Sequence, residues 1–537
     1  MKPRHLSLLL VLSLLAIEPL AGAELVSLNV QATAAGNGQS DGAALSADGR
    51  FVAFGSAATN LVPGGTTGFN IFVRDLLAGT TILASVNDPP YVGDSGSPSI
   101  SADGRYVAYQ RSNCTSVFCS MTDVFVRDLQ AGTTTLVSVD RNGMSGHAFG
   151  PVISADGRHV AFTGIGNNFV PNDTNGANDI FVRDLDAGIT RLASVNAAGT
   201  ASGNGMSSNP ALSADGRFVA FQSDASDLVA GDGNGATDVF WRDLQAGLTR
   251  LVSVNVAGTG SGTTGFESPM SGQAMISADG SRVSFVSGAS DLVPTDTNQD
   301  FDVFLRDMPD GPTRLVSINA AGTDSGVFGG GNAYLTSNGR FVAFESLSYD
   351  LLPTTDQNGR QDVFLRDVDA GVTRLVSANS AGNPAGDSAL SPASGTPVGK
   401  QVASGDGRFV VFRSSVPNLV SGVSYPCEHT PCNQAYLRDL QAGTTRLLSA
   451  TPAGDAAGNQ ETELDSLTQI SEDGRVVVSE TTASNLSRQP DTNATDDVFS
   501  VGAPAPLAIA AVPTLSETGL ALLAMMMAAL GLWSLRR

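Results

Sequence analysis

The chain has 537 residues, 60 of them Gly, with 52 acidic against 30 basic side chains and a formal net charge of −22. That length allows several domains or one large repeat array. The acidic balance excludes nucleic acid as a partner, because a phosphate backbone needs a basic surface, and it suits solubility and divalent cations.

The first 23 residues, MKPRHLSLLLVLSLLAIEPLAGA, read as a secretory signal peptide. Lys2, Arg4 and His5 form a basic start, residues 6–17 an apolar middle, and the small residues 21–23 a cleavage site. The apolar run is too short to span a membrane comfortably.

One pattern then recurs eight times. LSADGRFVAFGS begins at Leu45, with counterparts at Ile100, Ile153, Leu212, Ile276, Leu335, Ala403 and Ile470, their turn residues 53 to 68 positions apart. Repeats of this length predict a radial array or a solenoid. Each copy has an apolar segment ending in Asp-Gly or Asn-Gly, a strong hairpin signal, and then a β-branched and aromatic strand. A polar loop leads to a strand of the DVFVRDL type, and a second tight turn (QAGTT) leads to TRLVSVN. Four short strands per copy make one propeller blade. The last copy stops at DDVFSVGAP (496–504) without its fourth strand, while the mature N-terminus begins with ELVSLNV (24–30), which is that strand. The ends therefore predict an all-β, single eight-bladed propeller over residues 24–500, closed by its N-terminal strand so that two sheet edges vanish. These units resemble the TolB-like β-propeller repeat, a resemblance that speaks for fold and little for function.

Strand alternation sorts the loops. The Asp-Gly and QAG turns share one face; the DTNGAND loops share the other with the long connections between blades, and this second face is the expected binding face. The adjacent Arg183-Asp184 and its equivalents point to opposite sides of a strand and are read as structural.

Five copies carry oxygen-bearing side chains at relative positions 1, 3 and 7: Asp173/Asn175/Asp179, Asp232/Asn234/Asp238, Asp296/Asn298/Asp302, Asp356/Asn358/Asp362 and Asp491/Asn493/Asp497. Alternate oxygens suit Ca2+, a hard cation that takes six to eight of them. The twelfth-position acid, Asp184, lies five residues into a strand, roughly 16 Å from Asp179, and cannot close the same site. A purely structural reading competes, since Asp and Asn also form Asx turns. Two copies replace this device with C-x4-C pairs, Cys114/Cys119 and Cys427/Cys432. In an exported chain these predict two local disulfides, with zinc as the alternative, His429 lying inside one pair only.

Of four His, only His147, His159 and His429 lie beyond the signal peptide, and they form no visible metal cluster. GDSG (93–96) resembles a serine-nucleophile loop but matches the recurring Ser-Gly of the connections. GTGSGTTG (258–265) lacks the helix that phosphate cradling needs.

The C-terminus changes character. An Ala/Pro linker (501–511) precedes VPTLSETG, an uncharged apolar segment 519–535 predicted as a transmembrane helix, and the closing Arg536 and Arg537. Together they resemble the IPTL-CTERM sorting signal of Gram-negative bacteria, usually Ile-Pro-Thr-Leu-Ser-Glu-Trp-Gly. Pro513, Thr514, Leu515, Ser516, Glu517 and Gly519 match, while Val512 replaces the Ile and Thr518 the Trp. The resemblance implies export through the inner membrane, membrane retention by the C-terminal helix (residues 512–537 as a unit), and recognition by an exosortase-like membrane peptidase. The expected function is a non-enzymatic binding or scaffold module for an envelope protein or glycan. The alternatives are a carbohydrate-active lyase or hydrolase on a propeller scaffold, and a structural matrix protein.

Overall fold

The computed structural model describes residues 23–502, apart from 87–92, 113–121, 167, 264–269, 355, 357, 391–400, 418, 427–431, 461 and 463–467. The propeller lies in a compact unit that ends at Pro504; the unit Ala505–Arg537, with the predicted C-terminal helix and sorting motif, lies outside the described residues, as does the predicted signal peptide up to residue 22. No described helix is long and apolar enough to cross a membrane.

The described strands form eight four-stranded antiparallel sheets. The blades span residues 40–83, 95–136, 148–192, 207–251, 271–315, 331–375 and 388–447, and the eighth spans 469–502 together with 24–25. In seven of them sequence order is sheet order. The eighth is built from Gln469–Ile470, Val476–Thr481 and Asp497–Gly502, with Glu24–Leu25 as its outer strand. Glu24 pairs with Ser500 and Leu25 with Phe499. The closure predicted from the complementary ends is therefore the observed one. The ladder is shorter than the predicted segment: beyond Leu25 the chain leaves the sheet and turns back on itself through a Leu28–Ala35 bridge.

The repeat makes this architecture through its turns. In the first blade Ser46 Oγ donates to Asp48 Oδ1 at 2.6 Å and accepts from Phe51 N at 2.9 Å, while Asp48 Oδ1 also accepts from Arg50 N at 3.0 Å. Gly104, at the matching turn of the second blade, has φ of 72°, and an added Cβ would meet Phe51 of the previous blade at 2.1 Å. Glycine is needed there both for the left-handed backbone and for the close approach. Alternation buries one side of each strand. Cross-strand aromatic pairs such as Phe54–Phe72 and Phe221–Phe240 stack at 5.9 and 5.8 Å inside the sheets. The eighth blade breaks this habit, with Ser479 opposite Phe499.

A belt of hydrogen bonds links the seven Asp-Gly turns and the Asn-Gly turn around the axis. Ala47 N donates to Ala102 O, Ala102 N to Ala155 O, Asp156 N to Ala214 O, Ala214 N to Ala278 O and Ala278 N to Ser337 O. Asn338 Nδ2 donates to Gly405 O, Gly405 N to Glu472 O, and Glu472 N back to Ala47 O. At this end the channel narrows to about 190 Å3 between the apolar ends of the first strands, among them Leu45, Ile153 and Ile276. The first strands begin at the opposite end, which carries the long loops.

Candidate functional site

The two ends of the ring use acidic residues differently. At the turn end, in six of the eight blades, the Asp closing the third strand meets an Arg at the start of the second. Arg105–Asp128 and Arg217–Asp243 close at 2.7 and 2.6 Å. The Arg105 guanidinium draws the Asp128 carboxyl down to about 2, and Arg217 likewise lowers Asp243. The preceding Arg turns the other way: Arg242 Nη1 donates to Thr249 of the fourth strand at 2.6 Å. The Arg-Asp pairs are thus split between two structural jobs, as strand alternation requires. Asp184 lies at this end, 3.8 Å from His159 Nε2, far from the acidic loop of its blade.

At the loop end a common module recurs in every blade. The residue that opens the third strand accepts from a Ser at the end of the fourth. Ser194 Oγ donates to Asp179 at 2.5 Å, Ser253 to Asp238, Ser317 to Asp302, Ser377 to Asp362 and Ser27 to Asp497, all at 2.5 Å. The same Ser accepts the next backbone N–H of the third strand, as Ser194 does from Ile180 at 3.0 Å. Sequence reasoning missed this serine, although its recurrence in the LVSVN segments was there to be read.

The five acidic triads sit in these loops, and the structure gives their members separate tasks. Asn175 spends its amide on the backbone: Oδ1 accepts from Ala177 N at 2.7 Å, and Nδ2 donates to Gly203 O of the blade connection at 2.7 Å. Asn234 and Asn298 do the same with Gly262 O and Gly326 O, at 2.9 and 2.6 Å. These asparagines staple the loop to the connection. The aspartates are buried, apart from the half-buried Asp232. Burial pushes Asp173 up to about 6 and Asp296 to about 6, against a smaller downward pull from Ser202 and Ser325. Burial likewise takes Asp179 to about 7 and Asp302 to about 8, with the charge of the partner Asp adding to it. In the third, fourth, fifth and eighth blades the triad thus brings two carboxyl groups together in a place that disfavours both charges. Among the described residues no cluster of three or more His, Cys, Asp or Glu forms a metal-ligand set. The oxygens these loops offer come from two carboxylates, hydroxyls and backbone.

A second feature of the loop end was not foreseen. Over the fourth to sixth blades lies a recess of about 680 Å3. Its floor includes two first-strand bulge residues, Gln273 and Asn332, which hold φ of 53° and 45°. In the first and third blades the bulge residues with positive φ are Gly42 and Gly150. Non-glycine side chains in a strained conformation mark positions where the side chain matters. Their amides join a chain: Gln273 Nε2 donates to Asn332 Oδ1 at 3.1 Å, and Asn332 Nδ2 to Glu345 Oε2 at 2.9 Å. Glu345 also accepts from Gln361 Nε2 and from Leu390 N, both at 2.5 Å. Around this polar floor stand exposed apolar side chains, including Phe301, Phe328 and Leu347, with Phe328 edge-on to Tyr349 at 6.1 Å. No alternation or spacing rule shows this recess, because its residues come from three blades.

The remaining sequence candidates are placed plainly. Ser95 of the GDSG segment is buried and accepts from Arg111 Nε at 2.9 Å, a packing role. Cys432 is disulfide-bonded, while Cys114, Cys119, Cys427 and His429 lie outside the described residues. His147 lies in the connection before the third blade, and His159 opens that blade's second strand beside Asp184.

Residues 510–537 match the IPTL-CTERM motif family. This C-terminal sorting signal points to export to the cell envelope and to processing by a membrane sorting system. No protein of curated function matches the chain in sequence. TolB from Acinetobacter baumannii aligns at 16% identity and TM-score 0.31, over 63% of this chain and 64% of that one. A protein described as putative TolB from Agrobacterium tumefaciens aligns at 18% and 0.31, over 56% and 89%. Oligogalacturonate lyase from Vibrio parahaemolyticus aligns at 11% and 0.43, over 90% and 99%. The propeller architecture rests on the sheet pairing and not on these neighbours. A TolB and a lyase both stand among them, so the likeness leaves activity undecided.

Proposed function

We propose that the chain is an exported, envelope-associated propeller that binds a neutral, hydroxyl-rich glycan on its loop end without transforming it. The observation that carries this reading is the recess over the fourth to sixth blades, where carboxamides at strained bulges converge beneath exposed aromatic rings. Amides donate and accept together, which suits sugar hydroxyls, and aromatic rims supply flat apolar surface for the C–H faces of a pyranose. The sorting signal supports an address where such polymers are abundant. The enzymatic alternative, a lyase or hydrolase, calls for acid groups free to move protons. In the recess Glu345 accepts from two amides and a backbone N–H, which suits a fixed acceptor better than a proton carrier.

The test is a screen of the full-length protein in detergent against envelope polysaccharides and envelope proteins, followed by calorimetry. Glycan binding that is lost in Asn332→Ala and Phe328→Ala, with no new reducing ends or unsaturated products, is the expected outcome. Product release would assign an enzyme, and binding to a protein alone would assign a protein ligand. The absence of any ligand would leave the matrix role.

A further inference from the structure

We propose that the third, fourth and fifth blades each bind a Ca2+ ion between the two aspartates of the acidic loop: Asp173/Asp179, Asp232/Asp238 and Asp296/Asp302. This goes beyond the glycan reading and does not depend on it.

The first observation is a set of orphaned oxygens. Asp173 and Asp296 are 3% and 6% exposed, and neither carboxyl receives a well-aligned hydrogen bond, although Ser202 and Ser325 stand close enough to pull on them. Asp179, Asp238 and Asp302 are fully buried; one oxygen of each accepts from its Ser, and Oδ2 has no partner. A buried carboxylate oxygen without a donor is costly, and here the same vacancy recurs in three blades.

The second observation is the way the other five blades fill the same vacancy. In the first blade the third strand opens with Asn70. Its Oδ1 accepts from Ser85 at 3.0 Å, as an aspartate would, while Nδ2 donates to Thr67 O and Gly68 O at 2.9 and 3.1 Å. In the seventh, Gln434 accepts from Ser449 at 2.7 Å and donates Nε2 to Gln460 O at 3.1 Å. In the second, Asp123 recruits a second hydroxyl, Ser145, which reaches its two oxygens at 2.6 and 2.7 Å. In the sixth and eighth, the loop asparagine turns inward: Asn358 Nδ2 donates to Asp362 Oδ2 at 2.7 Å, and Asn493 Nδ2 to Asp497 Oδ2 at 2.8 Å. Five blades thus bring a positively polarised group to this point. Blades three, four and five bring a second carboxyl to this point, and the Nδ2 donors of their asparagines are directed to the connection.

The chemistry of the occupant follows. It is cationic, because it sits between two carboxylates. It takes oxygen, because no His or Cys is present among these ligands. Two carboxylates supply up to four oxygens, and loop carbonyls and water complete the six to eight that Ca2+ accepts in irregular geometry, which the smaller Mg2+ resists. The bound ion would tie the loop to the connection that follows the blade, since Ser202 of that connection accepts from Thr174 N and Asn175 N at 3.0 and 3.2 Å.

The test uses the full-length chain, stripped with EDTA and titrated with CaCl2 or MgCl2 by calorimetry and thermal melting. The expected result is about three Ca2+ per chain, a rise in Tm of roughly 3 °C per occupied site at saturating Ca2+, and a smaller rise with Mg2+. Asp179→Asn and Asp302→Asn imitate Asn70; each removes one site from the stoichiometry, and each melts no lower than wild type in EDTA. Asp362→Asn leaves the Ca2+ stoichiometry unchanged. No heat and no Tm shift at 5 mM Ca2+, or wild-type stoichiometry in Asp179→Asn, would overturn the proposal.

Discussion

The turn end and the loop end of this ring contain the same acidic residue in opposite electrical states. At the turn end, Asp128 and its counterparts meet guanidinium groups and backbone N–H donors, and their carboxyls are held charged. At the loop end, Asp179 and its counterparts are sealed under the blade connections, where burial favours the neutral form. The strand between them is the same heptapeptide, NDIFVRD in the third blade, with an Asp near each end. An aspartate's role is therefore set by the partner that the fold brings to it. The turn end is finished by its own side chains, while the loop end is left open to something from outside.

The largest expected effect comes from the seam, where the two ends are closed by different means. The turn end closes through backbone bonds from Glu472 to Ala47; the loop end closes through the N-terminal segment. Deleting residues 24–36 removes the buried Leu25, Val26 and Leu28, at least about 5 kcal/mol of apolar burial, and exposes the edge of the eighth blade. The expected result is a fall in Tm of more than about 5 °C with aggregation. A truncated chain that melts like wild type would show that the loop end contributes nothing to closure.

The next effect is on pH, and the two ends have opposite signs. Burial raises Asp362 to about 6 and Asp497 to about 8 in the folded state. Their favourable contribution is complete below the unfolded value near 3.8 and is lost as pH rises through those figures. Asp128, lowered to about 2, contributes above 3.8 and loses its contribution as pH falls through about 2. In EDTA the Tm is therefore expected to peak near pH 4, falling on the acid side as the turn end discharges and on the alkaline side as the loop end charges. A Tm that climbs steadily from pH 4 to 8 without metal would break the comparison.

Smaller effects sharpen it. Asp243→Ala strips Arg217, Gln245 N and Ala246 N of their acceptor and should cost about 1–3 kcal/mol by denaturant titration, with or without Ca2+. Phe328→Ala, half exposed at the loop end, should change stability by no more than about 0.5 kcal/mol while abolishing glycan binding.

Much of the frame was legible because it rests on local chemistry. Asp-Gly turns, alternating strands and a fourth strand missing at one end and present at the other are all short-range signals, and they were enough to count blades and close the ring. The same rules separated Asp184 from Asp179, since a strand has a known rise. What lay beyond reach depends on neighbours distant in sequence. The polar chain through Gln273, Asn332, Glu345 and Gln361 draws on two blades. The asparagines of the acidic triads show the limit most clearly: Asn175 and Asn493 occupy the same loop position, yet the amide of one donates to the Gly203 and Gly205 carbonyls and that of the other to the Gly36 carbonyl and the neighbouring Asp497 carboxyl. No spacing distinguishes them.

The N-terminal seam also has a consequence for the order of events in biogenesis. Ser27 donates to an acceptor 470 residues further along, so the part of the mature chain that leaves the ribosome and the translocation channel earliest has nothing to lock onto until nearly all the rest has followed. Every intermediate length carries an unsatisfied edge at both extremities. The circle becomes self-sufficient in a single late step, when the oldest segment meets the youngest.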